Sequence, residues 1–150
     1  MLVVGEGPDE ASLRREAPPN VEFRGAVSPE EVPTILARAT ALLVPSLWYE
    51  AAPRGILEAY AAGVPVVASR IGALPEVVEE GVTGLLADPG SGEAWTRAMA
   101  ALSDDRESER LGEGAFRAWS DRYTPDRGVR ELEAAYEEAI AARGDAPQRR

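Results

Sequence analysis

The sequence predicts an α/β fold: a Rossmann-like three-layer α/β/α domain built on a five-stranded parallel sheet. Three observations predict it. Short apolar segments recur about every twenty residues along the 150-residue chain. They are near-continuous rather than alternating, which marks strands buried on both faces. Each is followed by a polar or helix-patterned stretch, and strands alternating with helices argue for a parallel sheet. The length suits one domain.

The five strand segments are Leu2 to Val4, Val21 to Phe23, Ala41 to Val44, Pro65 to Ala68 and Gly84 to Ala87. Helix signals fall between them. "SPEEVPTILARA" opens on Ser28, with Pro29 at the first helical position and Glu31 three residues on, a capping box. Pro33 makes the start of that helix uncertain. "PRGILEAYAAG" starts at Pro53 and ends on Gly63, a left-handed cap. "LPEVVEEG" is a shorter helix, and "SGEAWTRAMAALSD" carries a helical apolar face at 94, 95, 98, 99 and 102. From about residue 104 two helices follow with no strand between, the second starting at Thr124 and Pro125. Leu132, Ala135, Tyr136 and Ile140 form one stripe on the last, and both helices are expected to pack on the sheet layer. The domain is expected over 1–143, with 144–150 a disordered tail.

Composition narrows the chemistry. Hydrophobic residues make up 45% and charged residues 28%, ordinary for a globular protein. No apolar run approaches the length of a membrane span, and the N-terminus lacks the features of a signal peptide; the expected location is cytoplasmic. There is no Cys and no His. Disulfides, thiol chemistry and Cys-type zinc sites are excluded, and so is the commonest general base. The net charge of -10 argues against nucleic acid as a partner. All 16 basic residues are Arg, which excludes a Schiff-base or P-loop lysine.

Ligands of open α/β sheets sit beyond the carboxyl ends of the strands. The loops there include "GEGP" (5–8), "GAVS" (25–28), "PSLWYEAAP" (45–53), "SRIGALPE" (69–76) and "DPGSG" (88–92). The third carries Glu50 and leads into a helix whose free N–H groups favour anions. Glu50 either relieves the helix dipole or accepts hydrogen bonds from ligand hydroxyls. Glu58 lies among Ile56, Leu57, Tyr60 and Ala61. It either sits on an exposed flank or needs a donor, and a ribose diol would suit both carboxylate oxygens. "GEG" at 5–7 lacks the third glycine of a dinucleotide fingerprint, so an ordinary tight βα turn is the better account. Trp48 either walls the site or packs under its loop.

"LVVGEGP", "VEFRGAVSPEEVPTILARATALLVPS" and "WYEAAPRGILEAYAAGVPVVASRIGALPEVVEEGVTGLLADPG", in that order, make the chain resemble the C-terminal, nucleotide-sugar-binding half of family 4 glycosyltransferases of the GT-B fold. The resemblance covers nearly residues 2 to 140, and the E-x7-E pair before "AYAAGVPVVAS" carries most of its specificity. It implies that Glu50 contacts hydroxyls of the donor sugar and Glu58 holds the nucleotide ribose. Backbone N–H groups of Ala51, Ala52 and Arg54 would face the diphosphate and sugar, whereas Pro53 has none. Gly25, Ala26 and Val27 would border the base, and Gly5 and Gly7 would line the cleft. The implied reaction is retaining transfer of a sugar from a nucleotide-diphosphate donor, with no metal and no cofactor beyond that substrate.

The chain departs from the family at Ala51 and Ala52, where a glycine and an aromatic are usual. It also reads as truncated at its N-terminus: the family's first βα unit and the N-terminal acceptor domain are not in it. Donor binding without turnover is therefore expected of the chain by itself. Arg54 and Arg70 are candidate substitutes for the basic residues of that unit, or simply exposed salt partners. With the central strand absent, the remaining five are expected to close in the order 2-1-3-4-5, or the gap is filled by a second chain through self-association. Two other functions stay open: a non-catalytic nucleotide-binding or interaction module, and half of a sugar-nucleotide epimerase.

Overall fold

The computed structural model describes residues 1–49 and 54–144. Its elements run β1 (Leu2–Val4), α1 (Glu10–Glu16), β2 (Glu22–Gly25), α2 (Val32–Leu36), β3 (Leu42–Val44), α3 (Arg54–Ala61), β4 (Val66–Ser69), α4 (Leu74–Val77), β5 (Gly84–Ala87), α5 (Gly92–Ala101) and α6 (Asp105–Ala118). A π-helical turn, Trp119–Tyr123, then leads into α7 (Pro125–Gly144).

Every residue of β4 is buried. Successive side chains of a strand point to opposite faces, so Val66 and Ala68 enter one apolar cluster and Val67 another. The first cluster is closed by Ile56, Ala59 and Tyr60 of α3, Leu74 of α4 and Ala115 of α6. The second is closed by Ala87 of β5, Ala98 of α5 and Leu111 of α6. Helix, sheet and helix layers follow directly from the uninterrupted run "PVVAS". Gly112 lets α6 cross the end of α3: a Cβ there would collide with the carbonyl of Gly63. Gly63 itself closes α3 in the left-handed region, as its position predicts.

The strands do not form one sheet. β1 pairs only with β2, and β3–β4–β5 form a second sheet, both parallel. The expected closure in the order 2-1-3-4-5 is therefore corrected: the neighbours within each group are as expected, but β1 and β3 do not pair. Three-residue strands offer few ladder bonds, each worth about 0.5–1.5 kcal/mol net. β3 is instead held by β4 and by Ser108 Oγ, which donates to Thr40 O at 2.8 Å. Glu22 N–H donates to Met1 O and Gly5 N–H to Gly25 O. In a parallel ladder these bonds turn Leu2 and Val4 the other way; both are exposed, at 37% and 43%. Leu42 N–H donates to Pro65 O, which likewise turns Leu43 away from β4. The outer edges are treated differently. Arg14 caps Phe23 O on β2 at 3.2 Å, while Glu80 accepts from Leu86 N–H at 3.3 Å and Arg70 donates to Leu86 O at 3.5 Å on β5.

Two helices differ from expectation. α2 begins at Val32, not beside Ser28. Pro33 has no N–H and must sit in the first turn; it occupies the second helical position. Half of the capping box survives in the preceding turn, where Ser28 N–H donates to Glu31 at 3.0 Å. That bond, with help from Arg24, holds the Glu31 carboxyl below its ordinary range. α7 starts at Pro125 as expected but does not pack on the sheet layer. Leu132, Tyr136 and Ile140 are exposed, and α7 packs on the π-helical turn. α6 already occupies the space over α3 and β5. No helix among the described residues is long and apolar enough to cross a membrane.

Tyr60 and Thr83 form a polar pair in the core, where Ser69 of β4 is buried too. Tyr60 Oη donates to Val77 O at 3.1 Å and lies 2.6 Å from Thr83 Oγ1, which accepts from Glu79 N–H. Burial pushes the phenol from 10.0 up to about 12. A group with a raised folded-state pKa favours folding fully below its unfolded value and loses that contribution as pH rises through the folded value. Tyr60→Phe is expected to cost about 1–3 kcal/mol at neutral pH, because Val77 O and Thr83 Oγ1 lose a partner. It should also flatten the loss of stability expected of the parent chain between pH 10 and 12. Chemical denaturation of both chains across that range checks this.

Candidate functional site

α3 follows β3 through residues 45–53. Its buried face is Ile56, Ala59 and Tyr60, at the i, i+3, i+4 spacing that lays one stripe on the sheet. Gly55 in its first turn faces Leu42 of β3. Glu58 falls at the margin of that stripe, with 34% of its side chain exposed. Arg54, one turn earlier, donates through Nε at 3.1 Å and Nη2 at 2.9 Å, both to Glu58 Oε1. The sequence alone left open whether Glu58 needs a ligand donor. Arg54 already supplies one, while Oε2 makes no hydrogen bond among the described residues. An i, i+4 pair this exposed contributes little stability, about 0.3–0.5 kcal/mol.

The glycine turns meet at the carboxyl ends of β1 and β2. Gly5 N–H donates to Gly25 O at 2.8 Å, and Ala26 N–H donates to Glu6 Oε1 at 3.3 Å. Gly5 (φ 122°) and Gly25 (φ 74°) both need the backbone freedom that only glycine has. Gly5, Gly25, Ala26 and Val27 are thus gathered at one rim, with Gly7 on the adjoining turn. Glu6 was passed over in reading the sequence; the available signal was an acid between two glycines directly after a strand. No hydrogen bond or ion pair among the described residues joins this rim to Arg54 and Glu58. Glu50, Ala51 and Ala52 lie outside the described residues.

Arg70 is an exposed salt partner, 2.7 Å from Glu80 and 3.6 Å from Asp88. Its bond to Glu80 raises its pKa further. Trp48 does not pack under its loop: it is 77% exposed, with Leu47 and Tyr49 exposed on either side. One hollow of about 320 Å³ lies along β5 and α5, lined by Arg70, Glu80, Asp88 and Arg97. Another, of about 330 Å³, lies along α7. Neither includes Gly5, Gly7, Gly25, Ala26, Val27, Arg54 or Glu58.

Comparison with known proteins identifies the family. The family model "Glycosyl transferases group 1" matches residues 1–105. The chain is 38% identical over 125 residues to D-inositol 3-phosphate glycosyltransferase of Corynebacterium glutamicum, covering 81% of this chain and 29% of that protein. It is 34% identical over 130 residues to the GDP-mannose-dependent alpha-(1-6)-phosphatidylinositol monomannoside mannosyltransferase of Mycobacterium tuberculosis, covering 79% of this chain and 34% of that one. It therefore spans about a third of the length of the curated relatives it matches. Among solved structures, sucrose-phosphate synthase from Thermosynechococcus elongatus superposes with a TM-score of 0.83 at 26% identity, covering 94% of this chain and 38% of the other. Anabaena HepE, solved with UDP and glucose, superposes at 0.76 with 24% identity, covering 94% and 40%, and shares the fold. The resemblance read from "WYEAAPRGILEAYAAGVPVVAS" holds: the chain belongs to the glycosyl transferases group 1 family.

Proposed function

We propose that this chain is the donor-binding part of a longer retaining glycosyltransferase that takes a nucleotide-diphosphate sugar. The observation that carries the reading is Glu58. It is a partly exposed carboxylate one turn into the helix after β3, with one oxygen held by Arg54 and the other making no hydrogen bond among the described residues. The pair with Arg54 leaves Oε2 free to accept from a ribose hydroxyl while Oε1 keeps its donor. Glu50 would accept from the sugar, and the backbone N–H groups of Ala51, Ala52 and Arg54 would meet the diphosphate, where a helix start favours anions. In the reaction, the bond from sugar C1 to phosphate oxygen breaks and its electron pair leaves with the nucleoside diphosphate. The acceptor oxygen bonds C1 from the same face, and its proton passes to the departing phosphate. Relatives named for GDP-mannose and inositol phosphate support a sugar nucleotide as donor and a hydroxylated acceptor.

Titration calorimetry with UDP, GDP and ADP, free and as their sugars, tests the reading. Charge-assisted hydrogen bonds are worth roughly 1.5–3 kcal/mol, so Glu58→Ala should weaken binding about ten- to a hundred-fold. Equal binding by Glu58→Ala removes the assignment of that residue.

The acceptor side is proposed to come from polypeptide outside residues 1–150. The purified chain is expected to bind donor without turnover. A radiolabelled sugar transferred by the chain alone would falsify this.

The unpaired edges at Leu2, Val4 and Leu43 support self-association as well. Sedimentation velocity should show mass rising with concentration; a monomer at every concentration rules that part out.

A further inference from the structure

We propose that Glu6 is a positioning residue that holds the Gly25–Val27 turn in its nucleotide-binding shape, acting as a hydrogen-bond acceptor and not as a charge. The inference rests on the reading of the chain as a nucleotide-diphosphate binder. The turn is tied at both ends by carboxylates from other positions. Glu6 Oε1 accepts from Ala26 N–H at 3.3 Å, and Glu31 Oε2 accepts from Ser28 N–H at 3.0 Å. Between those ties, Val27 N–H has no partner among the described residues and is left for a ligand. Gly25 enters the turn with φ 74°, and a Cβ on it would touch Glu6 Oε1 at 3.5 Å, so the carboxylate lies directly against the glycine it follows in space. A second tie, Gly5 N–H to Gly25 O at 2.8 Å, brings the "GEG" turn alongside and sets Glu6 within reach.

The charge itself is unfavourable here. A carboxylate at the rim repels a diphosphate, and the chain already carries -10. Glutamine keeps the acceptor oxygen and loses the charge; alanine loses both. The two substitutions therefore separate the roles.

UDP, GDP and ADP are titrated calorimetrically into the wild-type chain, Glu6→Gln and Glu6→Ala, and exchange of the Ala26 amide is followed by NMR. Glu6→Gln should bind as the wild type does or up to a few-fold more tightly. Glu6→Ala should bind up to about tenfold more weakly, the loss of roughly one hydrogen bond. Ala26 should exchange slowly in the wild type and Glu6→Gln but fast in Glu6→Ala, with an unchanged unfolding midpoint because Glu6 is exposed. Equal weakening in both variants would mean that the carboxylate meets the ligand directly, which overturns the proposal. So would equal affinity in all three chains, or an Ala26 amide that exchanges alike in wild type and Glu6→Ala. Failure of the wild type to bind any of the three nucleotides instead removes the proposed function, and with it the ligand half of this inference.

Discussion

The structure depends on the burial of β4 from both sides. A strand with no exposed face requires a helix layer above and another below. Val66 and Ala68 draw α3 and α4 onto one face, and Val67 draws α5 onto the other. Once α3 must lay Ile56, Ala59 and Tyr60 on that face, the helix has no rotational freedom left. Glu58 and Arg54 then fall at its margin, beside the end of β3 where a ligand would sit. The candidate site is thus a by-product of core packing: the acid is aimed by the apolar residues around it.

The two groups of strands differ in how firmly they are built. β3–β4–β5 is enclosed by α3, α4, α5 and α6. The β1–α1–β2 unit has no buried helix residue and relies on smaller interactions, such as Arg14 over the Phe23 ring at 4.8 Å and the Arg14–Glu10 pair. Few buried apolar contacts place a unit toward the low-stability end of a protein. The turns proposed to border the nucleotide lie on this lighter unit, and the hydrogen bonds between them matter more for that reason. Their glycines permit the shape, and Glu6 and Glu31 select it.

Much of this was legible because the signals are local. β5 occupies the residues expected, Gly63 ends α3, and Thr124–Pro125 opens α7. The i, i+4 spacing of Arg54 and Glu58 was equally visible, and it names the donor that the reading of Glu58 as exposed flank or ligand contact left out. What could not be read depends on distant partners. Pairing of β1 with β3 is decided by what each edge gains elsewhere, not by the apolar runs themselves. The stripe of α7 is a helix signal that says nothing of whether a surface is free to receive it. Glu6 resembles any solvent-facing acid until the turn after β2 is seen beside it.

The capped outer rims have a further consequence. Arg14 on β2, and Glu80 with Arg70 on β5, occupy ladder groups that another chain would need for edge-to-edge growth. A fibre propagates only if each added strand exposes a fresh template. Recruitment at β1 or β3 would meet a blocked far side in both sheets, so any assembly begun there would stop short of runaway polymerisation.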